Sequence, residues 1–186
     1  MWKCIFCAVT NRGLRKHNSA VLYAPVEGEY DIDLHPSQCA WFDVYPERYM
    51  WDGTALVEWS GWEAEQAARE LTAWKQQTVA AILASFAIEV KKPVMVGTLQ
   101  FDGGWTSLDK MDRAIQFADR LNLTERTFYE TDETPHVLPI HGEGLTGDSI
   151  LIAIAMAYDT LDGKMRAMVK QVNDAETVET FSISWE

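Results

Sequence analysis

The stretch WEAEQAARELTAWKQQTVAAILASFAIEVKK, residues 62–92, decides the fold of this chain. Apolar side chains recur in it every three or four residues, and neither glycine nor proline interrupts it, so the pattern predicts one long amphipathic helix. Pro93 ends the predicted helix, because proline lacks the backbone N–H that a helix interior uses. We expect one face to be buried through Leu71, Trp74, Ile82 and Phe86.

The predicted helix has two possible partners. It can pack on its own chain as an ordinary amphipathic helix, or it can join protomers as a coiled coil. The apolar stripe is broad, and a strict heptad pattern does not persist along it. Both arrangements therefore remain open, and the chain is expected to form a homo-oligomer.

Residues 1–58 lack helical periodicity and read as a small β-rich module. Alternating side chains predict a strand at residues 2–8, and residues 20–23 predict another. Near the end of this segment, Asp52-Gly53 lies between Tyr49-Met50-Trp51 and Leu56-Val57-Glu58-Trp59. Asp-Gly suits the positive φ angles of a tight turn, so this stretch predicts a β-hairpin.

Residues 93–186 predict a mainly helical domain. Short strands are expected at 94–96 and 98–101, followed by a helix that Thr106 or Ser107 caps, a loop-rich stretch at 123–145 and a long helix from Thr146. A last helical turn at 178–181 is expected to precede an extended end. The fold class is therefore α+β, with a β-rich module at 1–58, a connecting helix at 59–92 and a helical domain at 93–186.

The composition narrows the classes of function. The chain of 186 residues has 16 Lys and Arg against 28 Asp and Glu, a net charge of −12. Nucleic-acid binding requires clustered positive charge, so no nucleic-acid partner is expected. No apolar run approaches the ~18 residues of a membrane-spanning helix, so no membrane span is expected. The first residues lack the pattern of a signal peptide.

The three cysteines allow a metal site. Cys4-x-x-Cys7 and His35-x-x-x-Cys39 have spacings that occur in structural zinc sites. The alternative is three reduced, buried cysteines, since thiols are among the most buried side chains. No cofactor is expected other than this possible structural zinc.

The remaining polar residues do not form a recognisable catalytic pattern. No histidine lies beside a serine or cysteine nucleophile, and neither a phosphate-binding glycine loop nor a calcium loop is present. His136 and His141 lie near Glu133 and Glu143 in the sequence and could bind a cation. The expectation is a protein that is not an enzyme.

Two groups of side chains are candidates for an interface. Large aromatics and arginine are enriched at protein interfaces, and a basic cluster can contact an acidic neighbour, including another copy of this chain. The aromatic group could also form a compact core. The candidates are Trp41, Trp51, Trp59, Trp62, Trp74, Arg12, Arg15 and Lys16.

Residues 94–185 carry a series of motifs in a characteristic order. These are Thr98-Leu99-Gln100-Phe101-Asp102, the capped helix 107–115, the aromatic and acidic stretch 128–132, Leu145-Thr146 before a long helix, and Trp185 near the end. In this order they resemble an uncharacterised domain family of bacteriophage tail proteins. The hairpin at 49–57 is similar to those of tail-fibre and baseplate proteins. The resemblance implies a phage-tail context and supplies no catalytic residues.

Three functions remain open after this resemblance. The first is a non-catalytic virion structural protein of the tail (a tail fibre, a fibre adaptor or a baseplate-attached component) that mediates subunit assembly. It would be made in the bacterial cytoplasm, and its partners would be other tail, baseplate or fibre subunits. The second is a tail-fibre assembly chaperone that is absent from the mature particle. The third is a small zinc-dependent enzyme that uses Cys4, Cys7, His35 and Cys39.

Overall fold

The computed structural model of the chain describes residues 2–8, 10, 12–18, 26–34, 42 and 45–186. The chain divides into two compact units, Met1–Glu70 and Leu71–Glu186. Helix α1 (Trp62–Glu89) begins in the N-terminal unit and ends in the C-terminal unit, so it connects them in sequence. Small antiparallel sheets accompany long helices, which confirms the predicted α+β class.

The N-terminal unit contains a three-stranded antiparallel sheet and a separate hairpin. The sheet has the order β2-β1-β3, and the hairpin joins β4 to β5. Its core is formed by Cys4, Phe6, Leu34 and Phe42, with the rings of Phe6 and Phe42 5.5 Å apart. The strands are β1 (Trp2–Cys7), β2 (Gly13–Asn18), β3 (Glu29–Leu34), β4 (Tyr49–Trp51) and β5 (Leu56–Glu58). The strand predicted at residues 20–23 lies outside the described residues.

The β4–β5 hairpin confirms the prediction from Asp52-Gly53. A carboxylate oxygen of Asp52 accepts hydrogen bonds from the backbone N–H of Thr54 at 2.8 Å and of Ala55 at 2.7 Å. These bonds favour the charged form and lower the pKa of Asp52 below its usual value. Gly53 has a φ of 104°, which a residue with a side chain rarely adopts.

The residues of α1 that were predicted to be buried are buried or half-buried in the structure. Ile82 is fully buried, and Leu71, Trp74 and Phe86 are half-buried. The helix ends at Glu89, and Lys92 forms an ion pair with that residue at 2.7 Å. A cation near a helix C-terminus interacts favourably with the helix dipole, as the sequence predicts for Lys91 and Lys92.

The C-terminal unit builds its core between two helices and two hairpins. The core is formed by Phe101, Ile115, Ala118, Phe128, Ile140, Ile150 and Ile154. The elements that follow α1 are β6 (Val94–Val96), β7 (Leu99–Phe101), α2 (Trp105–Arg120), β8 (Glu125–Tyr129), β9 (Pro135–Pro139) and α3 (Gly147–Asp174). As predicted, the last long helix begins at Thr146. This residue is the N-cap of α3, and its hydroxyl accepts a hydrogen bond from the backbone N–H of Ser149 at 3.1 Å. In the described part of the chain, none of the helices combines the length and the hydropathy that a membrane-spanning helix requires.

The loop-rich prediction for residues 123–145 is wrong, because β8 and β9 form a hairpin there. Backbone bonds join Ile140 to Thr124 and Glu130 to Thr134 at its two ends. The alternation of an antiparallel ladder then places Pro135 and Pro139 at non-hydrogen-bonded positions, where a missing N–H costs nothing.

Two further boundaries differ from the sequence prediction. Helix α2 begins at Trp105 after Gly104, whose φ is 86°, and not after a Thr106 or Ser107 cap. Glycine adopts this backbone conformation without a steric penalty. The helical turn expected at 178–181 is absent from the described chain, and the segment is irregular up to Glu186. Its alternating apolar residues favour an extended conformation over a helix.

Candidate assembly surface

The second half of α1 is uncharged around its whole circumference and is mostly apolar from Val79 to Ile88. Residues 76–88 contain no charged side chain. One face carries the buried Ile82, while Leu83 and Ile88 point away from it and are 47% and 70% exposed. Helices that are hydrophobic on all sides are ordinarily buried on all sides. This segment therefore carries more apolar surface than its own unit covers.

The first half of α3 has the same property. Residues 149–158 contain no charged side chain. Ile150 and Ile154 lie in the core, whereas Ile152 and Met156, one turn apart on another face, are 56% and 65% exposed. Exposed apolar groups of this kind mark interaction surfaces in soluble proteins when they are clustered. We call the exposed residues of 76–88 and 149–158 the assembly surface.

A row of aromatic rings lies between α1 and α3 within the C-terminal unit. The ring of Phe86 is 6.0 Å from the ring of Tyr158 and 6.0 Å from that of Trp185. Tyr158 in turn lies 5.8 Å from Trp105, which is 64% exposed. A cavity of about 520 Å³ opens beside Phe86, Trp105 and Tyr158. Edge-on and tilted ring contacts hold these elements in one arrangement.

The tryptophans predicted for the interface are largely used inside the two units. Trp62 is 7% exposed and contacts Tyr45, with the ring centres 5.8 Å apart. Trp51 and Trp59 are half-buried in the N-terminal unit, and Trp74 is half-buried in the C-terminal unit. Their assignment to an interface stays a prediction, and Trp41 lies outside the described residues.

Arg12 is held by contacts within the N-terminal unit. One guanidinium nitrogen donates to the carboxylate of Glu65 at 2.6 Å, and two others donate to the backbone carbonyl of Glu47 at 3.2 Å. The guanidinium carbon lies 4.0 Å from the ring centre of Trp59, a cation–π contact. The hydrogen bond from Arg12 lowers the pKa of Glu65, with a smaller contribution from Arg69. Arg12 therefore fastens the start of α1 to the sheet.

The other two basic candidates lie in β2. Arg15 forms an ion pair with Glu29 of β3 at 2.8 Å. The side chain of Lys16 lies outside the described part of the chain. Whether either residue contacts a neighbouring subunit stays a prediction.

The candidate zinc ligands are only partly described. Cys4 is fully buried in β1, within the core that contains Phe6. Cys7 ends β1 and its side chain lies outside the description, as do His35 and Cys39. Among the described residues, no group of three His, Cys, Asp or Glu is arranged to hold a metal ion. The zinc site stays a prediction.

His136, in β9, and His141, in the segment before α3, have partners other than those expected from sequence proximity. His136 contacts Glu130, not Glu133, at 2.5 Å. His141 contacts Asp148 through Nδ1 and Asp119 through Nε2, each at 2.7 Å. A carboxylate can only accept hydrogen bonds, so both contacts are satisfied together only when both ring nitrogens carry a proton. The two bonds, that to Asp148 foremost, raise the pKa of His141 above its usual value.

His141 is therefore expected to make stability depend on pH. A raised folded-state pKa contributes stability that is fully present below the unfolded-state pKa of about 6.5 and is lost as pH rises through the folded-state pKa. His141→Gln should lower the melting temperature at pH 6 and have a smaller effect at pH 9. Thermal melts of both proteins across this range measure the difference. An equal loss at every pH would contradict the prediction.

Comparisons with protein-family models, curated proteins and solved structures find nothing that matches this chain. Its function is therefore argued from its residues. Sequence reasoning identified the buried face of α1 and missed the exposed side chains Ile88, Ile152 and Met156. The sequence signal that could have identified these exposed side chains is the absence of charge from two long runs, 76–88 and 149–158. A helix that buries only one face usually has charged residues on its other faces.

Proposed function

We propose that this chain is a non-catalytic structural protein of a bacteriophage tail, a fibre, fibre adaptor or baseplate-attached component, that assembles with neighbouring subunits. The observation that carries the assembly role is the assembly surface on α1 and α3. Its side chains, among them Ile88 at 70% and Met156 at 65% exposure, belong to helical segments that carry no charge on any face. Burying them against a neighbour contributes about 25 cal/mol per Å² of apolar area.

The charge of the chain supports this location for the contact. At a net charge of −12, two copies or two acidic subunits repel each other at long range. The runs 76–88 and 149–158 lack charged side chains, so subunits can approach here without burying an unpaired carboxylate. The phage-tail context is supported by the motif order in residues 94–185.

The composition of purified phage particles tests the proposed location. We expect mass spectrometry of particles produced from the genome that encodes this chain to find it in a fixed ratio to other tail proteins. A chain that is made in infected cells but is absent from finished particles would instead be an assembly chaperone. A chain bound to no tail protein at any stage would overturn the proposal.

Ile88→Lys should weaken association while leaving the fold intact. Residue 88 is exposed, so the lysine costs the isolated unit little, and its charge near the end of α1 suits the helix dipole. In an interface the ammonium would be buried without a partner. We expect the dissociation constant to rise about 10–100-fold, which corresponds to about 1.4–2.8 kcal/mol. Sedimentation velocity over a concentration series measures it.

Val137→Lys is the matched control for this experiment. Val137 lies on β9 in the same unit and is 66% exposed, close to the value for Ile88, but it lies outside the assembly surface. The control should associate like the parent chain. Equal association of the parent and both variants would exclude α1 as the contact.

A further inference from the structure

The C-terminal segment ends in side chains that are alternately half-buried and exposed. Phe181, Ile183 and Trp185 are half-buried, while Ser182, Ser184 and Glu186 between and after them are exposed. This alternation is that of a β-strand, whose side chains point to opposite sides in turn. We call residues 175–186 the arm.

Trp185 seats the end of the arm between α1 and α3 of the C-terminal unit. Its indole N–H donates to the hydroxyl of Ser85 at 2.8 Å, and its carbonyl accepts from the ammonium of Lys164 at 2.6 Å. Its ring lies 6.0 Å from that of Phe86. These contacts combine an aromatic anchor with two hydrogen bonds to opposite walls. We call Ser85, Phe86, Tyr158 and Lys164 the seat.

The backbone of the arm contributes little to holding it there. Ala175 donates to Val172 at the end of α3, and no backbone–backbone hydrogen bond joins residues 176–186 to the described part of the chain. Residues 176–180 are all exposed. The arm is therefore attached at its far end by side chains. Releasing it exposes the seat without breaking a β-ladder.

We propose that in the assembled protein the arm of one copy occupies the seat of a second copy. The exchanged arm makes the same hydrogen bonds and ring contacts as the arm in its own seat, so the exchange has little enthalpic cost. Ten extended residues reach about 33 Å, enough to cross to a neighbour held beside the chain. The inference rests on the proposed function, because the assembly surface would hold the neighbour there and raise its effective concentration.

The occupant is a second copy because the seat already fits this arm. The indole, the carbonyl of residue 185 and the ring of Phe86 match one another in the present structure. In a reciprocal exchange, the seat of each copy is filled by the arm of the other copy. Each association then contains two arm–seat contacts in addition to the apolar contact of the assembly surface.

A complementation experiment tests the exchange. One variant loses its arm by Trp185→Asp, and a tagged second variant loses its seat by Phe86→Asp. Neither variant can place its own arm in its own seat. In a mixture of the two, the intact arm of the Phe86→Asp chain can occupy the intact seat of the Trp185→Asp chain. We expect tag capture to recover several-fold more partner from this mixture than from mixtures of either variant with itself. Val178→Asp, which changes an exposed residue of the arm, is the matched control and should behave like the parent.

A second pair of variants repeats the experiment with changes that are less disruptive to the fold. Termination after Thr180 removes the arm without adding a charge, and Phe86→Ala removes the ring from the seat, with circular dichroism to confirm helix content. Equal capture above background in all mixtures would overturn the exchange and leave the proposed assembly standing. No self-capture even by the parent chain would overturn both.

Discussion

Phe101→Ala is expected to lower the free energy of unfolding by about 3–5 kcal/mol, the usual range for truncating a fully buried aromatic side chain. Phe101 ends β7, is 1% exposed and packs in the core that contains Ile115, Phe128 and Ile154. An open pocket of about 260 Å³ already adjoins the ring, so loss of the ring would enlarge that pocket. Urea unfolding followed by circular dichroism at 222 nm measures the change.

Phe117→Ala is the control for this experiment. Phe117 lies on α2 in the same unit, but it is 54% exposed, and the guanidinium carbon of Arg126 lies 5.7 Å from its ring centre. Its loss should cost less than about 1 kcal/mol. Similar losses for the two variants would show that burial at Phe101 is not what stabilises the unit.

The parts of the fold that sequence predicts correctly depend on local signals. Helix α1 follows from an uninterrupted stripe of apolar residues, and the β4–β5 hairpin follows from Asp52-Gly53. Thr146 caps α3 through a bond to a backbone N–H only three residues away. In each case the decisive interaction lies within a few residues, so a short window of sequence contains both partners.

The parts that sequence reasoning missed depend on distant partners. Pro135 and Pro139 indicate a loop until β8 supplies a strand in a register that tolerates them. Asp119, His141 and Asp148 come together only when α2, α3 and the segment before α3 are in place. The seat of Trp185 involves Ser85, a hundred residues away. The sequence alone does not identify such distant partners, because many side chains of the same type could make the same contact.

The assembly surface shows a second limit of sequence patterns. Apolar periodicity identifies the buried face that contains Ile82, but a helix that is apolar on every side has no single preferred face. The structure separates the two roles, because it covers Ile82 completely and leaves Ile88 exposed. In the proposed assembly a neighbouring subunit covers the second face, and the local pattern does not encode the identity of that subunit.

Gly103→Ala should destabilise the C-terminal unit by about 1–3 kcal/mol or more, the range for overpacking a filled site. A Cβ at Gly103 would lie 2.3 Å from the carbonyl oxygen of Lys92 and 2.7 Å from that of Val90. Both neighbours are backbone atoms between α1 and β6, so relief requires the chain itself to move. The movement would also disturb Gly104 and the start of α2.

Gly163→Ala makes the same chemical change with the opposite expected sign. Gly163 lies within α3, and a Cβ there meets no atom within 4 Å. Alanine is favoured over glycine in a helix interior by roughly 0.5–1 kcal/mol, so this variant should be more stable than the parent. Thermal melts of the two variants side by side separate the effects. If both substitutions shift the midpoint in one direction, the tight packing of Gly103 against the carbonyls of Val90 and Lys92 is not what governs stability there.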